Sequence, residues 1–185
     1  MSGTVRAALR FEEWTGQLST DLDATFALSA DERIAAQGRR FLAGALAYSL
    51  QQLDIIPDHE AAGSIDDAIV LRVAFGLSAE HAAKAGVDDA ALFARMTNEE
   101  DEVRTFFGDA LFAKIGRFVV ELADKPVRGR TSDQVIVAGR PREDMKRELD
   151  SANKRIKRAG PGADEKTQEA LEVSVKSWFS MKLGA

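Results

Sequence analysis

Cysteine is absent from this chain, which excludes disulfides, thiolate metal sites and cysteine nucleophiles. Histidine is nearly absent: His59 and His81 are the only two, too far apart for an H-E-x-x-H pair. No G-x-S-x-G element, P-loop or G-x-G-x-x-G run occurs, so serine-triad, nucleotide-cradle and dinucleotide readings have no anchor. Long apolar runs are missing as well. Charges interrupt the apolar patches every few residues, and no membrane-spanning helix is expected. Residues 1–6 lack the apolar core of a signal peptide, so a cytoplasmic setting is the default expectation. Strand signals are confined to Val135-Ile136-Val137, which reads as a short extended piece in a loop. These absences remove the familiar catalytic motifs, and a non-enzymatic protein is the leading expectation, with a metal-dependent activity as the alternative.

What remains is apolar and charged in helical rhythm. Apolar residues are 45% of 185, enough for one domain with its own core, or a domain with a helical extension. The net charge of −5 is unevenly spread. Residues 1–100 hold 8 Lys and Arg against 16 Asp and Glu, whereas residues 125–158 hold 11 against 5. Such asymmetry points to an anionic partner, or to one half attracting the other.

The periodicity predicts a first helix over Val5 to about Trp14 and a second over about Thr20 to Ala27. Ser29-Ala30-Asp31-Glu32 reads as a capping box opening a helix that runs to about Gln52. Gly38 and Gly44 lie inside that helix at a cost of about 1 kcal/mol each, and close helix packing is the reason to tolerate them. Pro57 breaks the pattern, and the chain turns over 54–63. Ser64 caps the next helix, which carries Ile65, Ile69, Val73 and Leu77 at four-residue spacing on a core face. Ser78 and Asp88 open two short helices. Thr97-Asn98-Glu99-Glu100 is a second capping box, and beyond it Val103, Phe107, Leu111, Ile115, Phe118 and Leu122 form an amphipathic stripe. Residues 124–140 read as a basic loop. Pro141 suits the first position of a helix, with a narrow seam of Met145, Leu149, Ala152 and Ile156. Gly160-Pro161-Gly162 punctuates, and a last helix covers about 164–181. The expected fold is all-α: a compact helical body over 1–123 and a basic C-terminal helical hairpin over 141–185, joined by the loop 124–140.

Four carboxylates crowd the break around Pro57: Asp54, Asp58, Asp66 and Asp67. Carboxylates among Ile and Leu are costly to desolvate without partners. One reading is structural. Asp58 closes the turn after Pro57, while Asp66 and Asp67 face the free amides of a helix N-terminus, each worth about 0.3–1 kcal/mol, with Arg72 in reach as a partner. The alternative is a hard-cation site. Without cysteine, these oxygens suit Mg²⁺ or Ca²⁺, with His59 as a further ligand. The spacing matches no EF-hand.

The run from Tyr48 through Leu53-Asp54-Ile55-Ile56-Pro57-Asp58 to Gly63-Ser64-Ile65-Asp66-Asp67 resembles the YkvA family, a small bacterial domain of unresolved function. The resemblance covers about residues 40–77. It implies a helical hairpin bent at the Asp-Pro turn and supplies no catalytic mechanism. This chain departs from the pattern in the linker His59-Glu60-Ala61-Ala62, which is polar and shorter than the family's apolar one.

The basic segment offers a third candidate. Arg128, Arg130, Arg140 and Arg142 head a series of cations that would suit phosphates. The segment has no interleaved aromatics, however, and Asp144–Arg147 and Asp150–Lys154 are spaced to stabilise an exposed helix. The leading expectation is therefore a helical interaction or scaffold module that binds a protein partner or a second copy. The alternatives are a metal-dependent or metal-stabilised site at the aspartates, and anion or nucleic-acid binding through 125–158.

Overall fold

A computed structural model describes residues 7–51, 55–57, 60, 62–82, 90–127, 129–156 and 165–184. The described residues form eight helices and no strand. They are α1 (Ala7–Leu28), α2 (Ala36–Tyr48), α3 (Ile65–Ala82), α4 (Ala90–Phe107), α5 (Asp109–Asp124), α6 (Ser132–Val135), α7 (Arg140–Asn153) and α8 (Glu165–Leu183). The all-α expectation holds, and no helix among the described residues is long and apolar enough to cross a membrane.

Helix α3 is the central strut. Every residue from Ile65 to Phe75 is buried, and α1, α2, α4 and α5 all pack on it. Of the core face read from the spacing, Ile65, Ile69 and Val73 are essentially inaccessible, while Leu77 is only partly buried. Two glycines of α2 let their neighbours approach. A Cβ on Gly44 would meet the backbone nitrogen of Ala123 at 2.9 Å, and one on Gly38 would meet the His81 Cβ at 2.8 Å. Both glycines are thus retained for close packing, against α5 and α3 respectively.

Several local signals give way to tertiary contacts. The two short helices expected before Leu28 are one continuous α1, whose buried face Phe11, Trp14, Leu18 and Leu22 outweighs the single mid-helix Gly16. Ser29 does not open a helix. Its hydroxyl donates to the Phe26 carbonyl at 2.8 Å and closes the end of α1 instead. The expected capping box at Thr97 lies inside α4, because Glu99 is drawn into the core by a buried arginine. The amphipathic stripe breaks instead at Gly108, whose φ of 75° lies in the left-handed region that glycine adopts without strain. Ser78 continues α3, its hydroxyl donating to the carbonyls of Ala74 and Gly38. Val135 ends α6 rather than an extended piece; a capping box between Thr131 and Gln134 starts that turn. Pro141 takes the first turn of α7, as its fixed φ favours.

The segment 124–140 carries α6 and leads α7 back onto α1. Helix α8 packs on α1 and α5. Met145, Leu149, Val175 and Phe179 are all buried and belong to the same apolar cluster as α1–α5. Part of the charge asymmetry is satisfied within the chain, since Lys146 of α7 lies 3.0 Å from Asp23 of α1. The Gly160-Pro161-Gly162 punctuation lies outside the described residues.

Candidate functional site

The acidic elbow is built around Asp66, in the first turn of α3. Tyr48, the last residue of α2, donates its hydroxyl to Asp66 Oδ2 at 2.5 Å and accepts from the Ile55 amide at 2.7 Å. The Ile56 amide donates to the same carboxylate oxygen at 3.0 Å. One side chain thus ties the turn before Pro57 to the ends of two helices. Asp66 is wholly inaccessible, and burial raises its carboxyl to about 6 against the pull of these donors. Tyr48 is pushed well above the usual phenol range by burial and by the charges of Asp66 and Asp67. Asp67 is buried beside it in the same helical turn. Asp54, Asp58 and His59 lie outside the described residues. Among the described residues no three metal-type ligands gather. Asp66 Oδ2 is thus held by the Tyr48 hydroxyl and the Ile56 amide, while Oδ1 is buried without a hydrogen-bond partner among the described residues.

Arg72 does not turn toward the aspartates. It lies one helical face away and wholly buried, with Nη2 2.7 Å from Glu99 and 3.8 Å from Asp21. Nη1 donates to the Ala68 carbonyl at 2.9 Å, and the guanidinium stacks 4.5 Å from the Trp14 ring centre. Arg95 joins the same acids from the rim, 2.5 Å from Asp21 and 3.3 Å from Glu99. Burial brings Arg72 down to about 10, opposed chiefly by Glu99 and Asp21, so it stays charged at neutral pH. This network ties α1, α3 and α4 together, and reasoning from sequence missed it. The signal was present in Arg72 as the single charge within the apolar run 68–77, which needs a buried acid from elsewhere.

The described basic candidates, Arg130, Arg140 and Arg142, are not gathered into one surface. Arg130 forms a two-pronged pair with Glu148 at 2.8 and 2.6 Å. Arg142 turns inward: it stacks 3.9 Å from the Phe26 ring centre and donates to Ser29 and to the carbonyls of Val135 and Phe26. Arg140 is 89% exposed, with Asp144 at 3.8 Å. Arg128 lies outside the described residues.

Two concavities take their walls from residues that the sequence pattern did not bring together. The larger, about 1110 Å³, runs between α1, α4 and α8. Trp14 and Phe106 line it, with five carboxylates (Glu13, Asp101, Glu102, Glu169 and Glu172) against two cations, Arg10 and Lys176. Arg10 pairs with Glu102 at 2.5 Å, and Glu172 accepts from the Ala8 amide at 3.0 Å. Lys176 sits 4.5 Å over the Phe106 ring. The smaller, about 590 Å³, opens beside Tyr48 between α5 and the end of α8. Both depend on where α8 docks, which helical periodicity does not encode.

The class these observations define is an all-α helical bundle centred on a buried helix. Comparison with protein-family models, curated proteins and solved structures finds no match to this chain.

Proposed function

We propose that this chain is a non-enzymatic helical binding module, and that its working surface is the α1–α4–α8 groove, which takes a cationic segment of a partner protein. The observation that carries the reading is the pairing of an aromatic floor with a carboxylate-rich wall in one open groove of about 1110 Å³. That volume exceeds the usual small-molecule range and suits a peptide segment laid along helices. Its aromatic faces already accept cations from within the chain, Arg10 over Trp14 and Lys176 over Phe106. Trp14 is buried and already covered by Arg72, so a ligand lysine or arginine would meet the partly exposed Phe106 ring and the neighbouring carboxylates. The YkvA resemblance of residues 40–77 is in keeping with this, since it brings a helical elbow and no reaction. A cytoplasmic setting is part of the proposal and rests on composition.

The test is fluorescence anisotropy with a labelled amphipathic Lys- and Arg-rich peptide, beside an acidic peptide of equal length. Saturable binding of the basic peptide alone is expected. It should weaken as salt rises and fall by about tenfold or more in the double variant Asp101→Lys, Glu169→Lys. Equal binding of both peptides, or no effect of the double variant, would defeat the reading.

A further inference from the structure

The smaller cleft carries a charge pattern opposite to the groove. Its described lining contains four cations, Lys114, Arg117, Lys125 and Lys182, and one carboxylate, Glu121. That carboxylate is already taken by Lys125 at 2.7 Å. Lys114 donates to the Gly184 carbonyl and so fastens the end of α8 along α5. Neither Arg117 nor Lys182 has a carboxylate within 4 Å among the described residues, and the one acid near Arg117, Glu121 a turn along α5, is shared with Lys125. Preference for helix ends accounts for Lys182 in the last turn of α8 and for Lys125 just past α5. It does not account for Lys114 and Arg117, which lie in the middle of α5 and are three residues apart on one face. Like charges converging on a concave surface repel one another unless an anion joins them. The floor is partly apolar, with the Phe118 ring packed edge-on to Tyr48 at 5.6 Å.

We infer that this cleft is a binding site for a phosphate-bearing anion, held by Arg117, Lys182 and Lys114, with any apolar portion of the ligand lying on Phe118. Arg117 supplies the forked donor pair that matches a phosphate, and the lysines add point charges. Apart from Lys125, the site shares no residue with the basic segment 125–158, whose Arg130 and Arg142 are spent on Glu148 and on α1. It does not depend on the acidic groove, so either can fail alone.

The experiment is a two-dimensional amide NMR titration of the full chain with pyrophosphate and with phenyl phosphate. Saturable shifts confined to residues 48–51, 114–125 and 182–184 are expected. Arg117→Gln with Lys182→Gln should weaken binding by about tenfold or more, while Arg140→Gln leaves it unchanged. All three residues are exposed, so circular dichroism should report intact folds. A parallel sedimentation arm uses phosphatidylcholine vesicles with and without phosphatidic acid. Co-sedimentation that the double variant loses identifies a lipid headgroup as the source. Soluble binding without co-sedimentation identifies a free phosphate ester. Absence of both, shifts that centre on α7, or binding unchanged in the double variant would overturn the inference.

Discussion

Arg72 and Glu99 meet at 2.7 Å in the interior of the bundle, and neither is more than marginally exposed. The contact joins α3 to α4 and explains why a sequence that reads as a helix start is continuous helix. An amide cap at Thr97 would stabilise by about 1 kcal/mol, whereas leaving Arg72 uncompensated would cost about 3–5 kcal/mol. The buried charge therefore decides the local structure.

Arg72→Met should accordingly destabilise the protein by about 3–5 kcal/mol, because Glu99 and Asp21 lose their buried counter-charge. Glu99→Gln alone should also be costly. The double variant should cost less than the sum of the two by about 1–3 kcal/mol, since each residue's penalty arises largely from the other. Urea unfolding of the four proteins measures this directly. Strict additivity would show that the two groups are solvated independently.

Tyr48 and Asp66 set a pH dependence whose sign is opposite to that of an ordinary salt-bridged carboxylate. Asp66 is raised from 3.8 to about 6 in the folded chain. The folded state then holds more protons than the unfolded one between these values. Stability contributed by the group is fully present below 3.8 and is lost as pH rises through about 6. The full span corresponds to roughly 3 kcal/mol. Asp66→Asn removes the titrating charge and keeps one oxygen for Tyr48 and Ile56. Its stability should change less between pH 5 and pH 8 than that of the parent, as read by urea unfolding. Tyr48→Phe should cost about 1–3 kcal/mol, and more at the higher pH, because a charged carboxylate then loses its hydroxyl donor. A parent protein with flat stability over this range would refute the assignment.

The same hydrogen bonds bear on the cation alternative. With Asp66 Oδ2 engaged by Tyr48 and the Ile56 amide, added Mg²⁺ or Ca²⁺ should leave the melting temperature unchanged, and so should EDTA. A rise with either metal that Asp66→Asn together with Asp67→Asn abolishes would restore the metal reading.

Much of the fold was legible because its signals are local. The four-residue spacing of Ile65, Ile69 and Val73 marked the central helix, Pro141 marked the start of α7, and Met145, Leu149 and Ala152 marked its buried seam. The place of Asp66 in the first turn of a helix was legible too, but its partners Tyr48 and Ile56 were not, because they lie beyond that turn. The destination of Arg72 was not. Helical spacing identifies neighbours three and four residues away, and Glu99 lies on another helix. The two concavities were hidden for the same reason: their walls come from α8 docking against distant helices. Capping boxes at Ser29 and Thr97 misled because they describe what a segment favours alone.

Gly44 and Gly76 both sit in packed helices, but alanine should act on them with opposite sign. At Gly44 the new Cβ would lie 2.9 Å from the Ala123 nitrogen and 3.0 Å from the Leu122 carbonyl carbon. Backbone of a packed helix cannot step aside, so Gly44→Ala should destabilise by about 1–3 kcal/mol despite its better helix propensity. At Gly76 the obstacle is the Glu100 carboxylate, whose oxygens would overlap the new Cβ. That group is the far end of a flexible, half-buried side chain and can swing outward. Burial has raised Glu100 to about 7, so its charge is disfavoured where it lies. Displacing it to water removes that penalty, and alanine adds about 1 kcal/mol of helix propensity. Gly76→Ala should thus be neutral to stabilising at pH 8, and the fall in stability between about pH 4.5 and pH 7 that a raised carboxyl causes should shrink. Thermal unfolding of both variants at pH 5 and pH 8 separates the two cases. A Gly76→Ala protein as damaged as Gly44→Ala would mean that Glu100 is held in place by more than its own rotamer.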